Sequence, residues 1–80
     1  MTLGDLKIAW NKLEEFRRRI LPQEKKDTAR ELFTDAGKKF YEHYGYQWPE
    51  ILPREVTDDA PLCNEAKKKL KIFLEFVKSH

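Results

Sequence analysis

The sequence predicts an all-α domain: three helices, with an irregular, proline-rich connection before the last. Three observations carry that expectation. Apolar residues recur at helical spacing in three separate stretches. Glycines number only three in 80 residues, and β-branched residues are few. The four prolines, Pro22, Pro49, Pro53 and Pro61, fall between those stretches or at the start of the last one, where helices tolerate them.

Eighty residues make one domain, residues 1–80. A chain this short buries only about 60–65% of its unfolded surface, so modest stability, or help from a partner, is expected. Hydrophobic residues at 40% and charged residues at 38% are too apolar a mix for a disordered chain. Sixteen basic and fourteen acidic side chains leave a net charge of +2, too little to argue for nucleic acid on charge alone. Cys63 is the only cysteine, which excludes an intramolecular disulfide and a thiolate metal cluster and fits a reducing cytoplasm. No apolar run is long enough to span a membrane, and MTLGDLKIAW lacks a signal-peptide core. A cytoplasmic protein with no membrane partner is expected.

The first helix is expected over 3–20. Thr2 is its N-cap, with Asp5 in the capping-box position. Leu6, Trp10, Leu13 and Ile20 form its apolar stripe, widened by Leu3 and Phe16. Leu21-Pro22 stops it, because proline pushes the preceding residue out of the α region. The run Arg17-Arg18-Arg19 reads either as a solvated helix end, where cations are favoured, or as a contact for phosphate or an acidic partner.

The second helix, over 27–44, is the cleanest amphipathic stretch: Ala29, Leu32, Phe33, Ala36, Phe40 and Tyr44 share one face. Asp27 or Thr28 would cap it, unless Pro22 already starts its first turn. It should lie antiparallel to the first helix. Gly37, beside Ala36, makes a small-residue patch that another helix could approach closely. Gly45 stands where a C-cap is expected.

Residues 45–61 read as an ordered but irregular connection. Tyr41, Tyr44, Tyr46 and Trp48 crowd its start. They plug the open end of the helical hairpin, or contact a protein partner, or stack bases.

The third helix is expected over 60–78, entered through Asp58-Asp59-Ala60-Pro61. Leu62, Ala66, Leu70, Phe73, Leu74 and Val77 form its face, while Ile72 and Phe76 project ~200–240° around from Leu70. That second apolar patch is either covered by residues 46–60 or exposed for a partner or a second copy of the chain.

No catalytic motif is present: no glycine-rich phosphate loop, no paired histidines at zinc spacing, no nucleophile elbow. His43 and His80 are expected in solvent, and Cys63 half-buried and inert in the first turn of the third helix. The adjacent carboxylates Glu14-Glu15 and Asp58-Asp59 point apart on a helix and make poor acid–base pairs. An enzyme is not expected, and neither cofactor nor metal is called for.

On the second helix, Ala36-Gly37-x-x-Phe40-x-Glu42-x-Tyr44 resembles the theta subunit of bacterial DNA polymerase III and its bacteriophage homologue. In that family the helix is followed by a proline, an acidic connection with another proline, and a final amphipathic helix. Pro49 and Pro61 stand near those places, with Pro53-Arg54-Glu55 in the acidic connection. The similarity covers residues 27–80, and the helix before it has no counterpart in the family. The resemblance implies a small, non-catalytic helical protein of a bacterium or phage that binds a polymerase's proofreading exonuclease subunit during DNA replication. It would make Phe40, Glu42 and Tyr44 part of the shared scaffold, with the aromatic corner near the contact surface. From that corner and the second apolar patch of the last helix, the candidate partner contacts are Tyr41, Tyr44, Tyr46, Trp48, Ile72 and Phe76. The alternative is a nucleic-acid-binding protein using the Tyr/Trp corner with Arg17, Arg18, Lys68 and Lys71 as phosphate contacts.

Overall fold

The computed structural model describes residues 1–80 and contains three helices and no sheet: α1 Leu3–Arg17, α2 Gln23–His43 and α3 Asn64–Ser79. The longest helix, α2, is the centre. Its C-terminal half meets the start of α3, where Lys39 lies 3.6 Å from Glu65, and its N-terminal turn meets the end of α3, where Lys25 lies 2.7 Å from His80. Thus α3 runs antiparallel to α2. Because Thr2 pairs with Pro61 and Phe16 packs on Phe76, α1 and α3 run parallel to each other.

The core is a single apolar cluster drawn from all three helices, and its largest fully buried side chains are Leu13, Phe33, Phe40, Leu70 and Phe73. Burying each contributes about 1.5–3 kcal/mol. Phe33 is its hub: Trp10, Trp48 and Phe73 all lie within 6 Å of its ring centroid. No helix is long and apolar enough to cross a membrane.

Each boundary has a local cause. At the start of α1 the Thr2 amide donates to Asp5 Oδ2 at 2.9 Å, the expected capping contact. The end of α1 comes three residues earlier than the sequence predicts. The amides of Arg18 and Arg19 reach back only three residues, to Glu15 and Phe16, and this tightened turn leaves Ile20 fully exposed and off the stripe. At the start of α2, Pro22 is the N-cap and the helix begins at Gln23, next to the alternative start at Pro22 and four residues before Asp27. Thr28 instead donates to the carbonyl of Glu24 at 2.9 Å, a bond of the helix interior. At the end of α2, Gly45 adopts φ +81°. Its amide bonds Glu42 and that of Tyr46 bonds Tyr41, which together make a Schellman closure.

The start of α3 departs most from expectation, at Asn64 rather than residue 60. Residues 58–59 make a single turn, closed by the Ala60 amide on the Thr57 carbonyl at 3.0 Å, which does not continue into a helix; the chain then runs beside the N-terminus of α1. The amides of Leu3 and Gly4, which have no partner within their own helix, bond the carbonyls of Ala60 (2.8 Å) and Asp58 (2.9 Å), while Leu62 bonds Met1 (2.9 Å). This strap satisfies two donors of α1 and holds Pro61 extended, so the acidic turn serves α1 instead of α3.

Candidate protein-binding surface

The Tyr/Trp corner is built by the closure of α2. After Gly45 the chain doubles back and lays Trp48 flat on Gly37, so near that a methyl group there would fall 2.1 Å from the ring. The small-residue patch therefore admits an indole, not the neighbouring helix suggested by the sequence. Trp48 also stacks edge-on with Phe33 and Tyr41, at 5.9 and 5.1 Å. Tyr44 packs on Phe40 at 4.9 Å and donates its hydroxyl to the Pro61 carbonyl at 3.2 Å, tying α2 to the strap. Tyr46 is half-buried beside Trp48 and Lys38. Most of the corner thus closes the hairpin.

What this corner leaves open is a shallow cavity of about 170 Å³. Leu3, Leu6, Lys7 and Trp10 of α1 line it, with Phe33 and Tyr41 of α2 and Trp48 and Leu52 of the connection. It is smaller than the roughly 300–1,000 Å³ typical of small-molecule sites. A single apolar side chain of a partner suits it better. Trp10 forms the rim at 45% exposure, and Ile51, next to Leu52, is almost wholly in solvent. Lys7 is the one charged lining residue, held at 2.6 Å from Asp58. Burial raises the Tyr41 phenol above its ordinary pKa of 10.0, a rise opposed by the nearby Lys7 charge and reinforced by Glu50, so the wall is neutral near pH 7.

Trp10 is the residue that sequence reasoning misplaced. It was assigned to the core stripe, but Ala9 takes that place, fully buried. Trp10 sits ~60° from Leu13 on the helix wheel, on the edge that also holds Leu3. The strap runs beside Leu3 but does not reach two turns further, so the indole stays half out. That offset from Leu13 was the signal available in the sequence.

The second apolar patch does not exist as one surface. Ile72 is 47% exposed, but Phe76 is half-buried, 6.0 Å from Phe16 and 4.5 Å from the His80 ring. Phe76 lies ~60° from Phe73 on the helix wheel, the same offset as Trp10 from Leu13, and is half-buried because Phe16 and the His80 ring stand across from it, whereas nothing covers Trp10. Neither of the expected arrangements covers it: α1 and His80 do, not residues 46–60. His80 is accordingly not in open solvent, whereas His43 is. Cys63 stands just before α3 as its N-cap, half-buried, with its thiol donating to the Lys39 carbonyl at 3.7 Å.

The four expected phosphate contacts do not converge. Arg17 is paired with Glu14 at 3.5 Å and Arg18 caps α1 in solvent, both at the end where Arg19 meets His80. Lys71 and Lys68 are exposed nine and twelve residues before His80, roughly 14 and 18 Å back along the bundle.

No protein-family model, curated protein or solved structure matches this chain.

Proposed function

We propose that this protein is a small, non-catalytic cytoplasmic module that binds a larger protein and stabilises or modulates it. The observation that carries the reading is Trp10, a half-exposed tryptophan on the rim of an open apolar cavity whose inner wall is Tyr41 and Trp48. Tryptophan is the side chain most enriched at binding hot spots, and an indole beside an open apolar recess is the arrangement that anchors a partner residue. The most specific version is a replication accessory protein like the theta subunit, bound to a polymerase's proofreading exonuclease subunit. The residues behind that resemblance have structural roles in this chain: Gly37 admits Trp48, Phe40 is buried, and Tyr44 bonds the strap.

The test is a nuclease-treated pull-down from a bacterial lysate, run with the tagged protein and its Trp10→Ala variant. The proposal expects one stoichiometric protein that the variant loses; a proofreading exonuclease would support the specific version, and any other protein the general one. Equal capture by both chains removes Trp10 from the interface. Nucleic acid recovered without nuclease, and nothing with it, favours the phosphate-contact reading, which a steep loss of binding with added salt would corroborate.

A further inference from the structure

A second opening lies on the other side of α1. Because α1 and α3 run parallel on the same side of α2, a seam separates them. It is bridged at one end by the strap and at the other by Phe16 against Phe76 and Arg19 against the His80 carbonyl. Near that second end the seam is an open groove of about 430 Å³, lined by Lys12, Glu15, Phe16, Arg19, Leu74, Val77 and Lys78. Its floor is apolar and its rim is mainly cationic. The same stripes continue the pattern: on α1, Ile8 lies one turn before Lys12, exposed; on α3, Lys67 and Lys71 precede Leu74 and Lys78 at helical spacing.

Two rim cations are unpaired. Lys12 and Lys78 have no carboxylate within 4.0 Å, whereas Arg19 already donates to the His80 main-chain oxygen at 2.6 Å, and no hydrogen bond or ion pair joins Lys12 or Glu15 to α3. Cations on both walls cannot neutralise one another, and three of them face the single carboxylate of Glu15. The groove therefore presents half-buried Leu74 and Val77 between the unpaired charges of Lys12 and Lys78.

We propose that this groove is the docking site for an acidic amphipathic helix of a protein partner. The helix sets its apolar stripe on Leu74 and Val77 and its carboxylates against Lys12 and Lys78. Charge complementarity selects the sign of the occupant. The apolar floor selects its class, since a phosphate backbone gains nothing from Leu74 and Val77, whereas two helical turns of Leu or Ile at i, i+3, i+4 and i+7 bury them. The lining from Lys12 to Arg19 spans roughly 10 Å, or about two turns. This surface shares no residue with the Trp10 cavity, so it stands or falls separately from the reading above.

The experiment is titration of the full chain, followed by backbone NMR, with a synthetic peptide of about fourteen residues carrying Leu at i, i+3, i+4 and i+7 and Glu elsewhere. Three controls accompany it: a same-composition scramble, a version with Lys for Glu, and a single-stranded oligonucleotide of equal charge. We expect saturable shifts at Leu74 and Val77 with the acidic amphipathic peptide only. The double variant Lys12→Glu, Lys78→Glu should weaken binding by roughly tenfold or more, because two attractions become repulsions. Both positions are exposed, so its circular dichroism should match the parent, and Trp10→Ala should bind the peptide normally. No saturation at millimolar peptide overturns the proposal. So does equal affinity for the scramble, equal affinity for the oligonucleotide, undiminished binding by the double variant, or shifts centred on Trp10.

Discussion

The two tryptophans rest on the same phenylalanine and meet opposite fates. Trp48 and Trp10 lie 5.9 and 5.4 Å from Phe33, and both line the same cavity. Trp48 is locked: a glycine receives its face, Tyr41 closes its edge, and the Schellman turn at Gly45 fixes the chain that delivers it. Trp10 has one aromatic neighbour and open space beyond. The difference teaches that a ring's role is set by what stands across from it, a notch or a void, and much less by its own identity.

That contrast can be broken at its shared support. Phe33→Asp places an unpaired charge at 2% exposure beneath both indoles, and its cost of several kcal/mol is comparable to the whole ~4–12 kcal/mol expected of an 80-residue domain. Loss of the helical circular dichroism signal is expected, and a folded variant would show the core face of α2 to be wrong. Trp48→Ala should lower stability by about 2–3 kcal/mol in urea melts, since it empties the Gly37 notch and exposes Phe33 and Tyr41. Gly37→Ala refines the same point. Helix propensity alone would add ~1 kcal/mol, yet a methyl 2.1 Å from the Trp48 ring must push the indole out, so a net loss of about 1–2 kcal/mol is expected. A gain in melting temperature would show that the notch is not needed.

Trp10→Ala should act in the opposite manner, with about 1 kcal/mol or less of stability lost but partner capture abolished. The smallest effect concerns the wall between the two rings. The Tyr41 phenol has its pKa raised in the folded chain by burial, so the fold favours the neutral form. Its contribution is fully present below the unfolded value of 10.0 and is lost as the pH rises through the higher folded value. Tyr41→Phe should therefore flatten the loss of stability above about pH 10 relative to the parent, as alkaline melts would show.

Much of this was legible in the sequence. The face of α2 was read from its spacing, and Ala29, Phe33, Ala36 and Phe40 are buried as expected, because an isolated amphipathic stripe has only one way to face a core. Gly45 closed α2 as its position indicated. The largest departures depend on residues distant in the chain. An acidic Asp-Asp-Ala-Pro turn has the composition of a helix start, and nothing local reveals that Leu3 and Gly4 claim its carbonyls. Phe76 looked misplaced because its angle was measured from Leu70, while the actual neighbour, Phe16, lies sixty residues earlier. The apolar cavity and the cationic groove were likewise hidden, since each requires knowing which flanks of α1 remain uncovered by the strap and by α3.

The strap also bears on how the molecule opens. The first amides of a helix normally exchange with water at once, for they have no acceptor in their own turn. Here Leu3 and Gly4 are bonded to carbonyls more than fifty residues away, and those carbonyls belong to the stretch that leads into α3. The first turn of α1 cannot fray alone. Releasing it frees the entrance of α3 and the Tyr44–Pro61 bond with it, so the starts of two helices and the end of the third open as one cooperative unit.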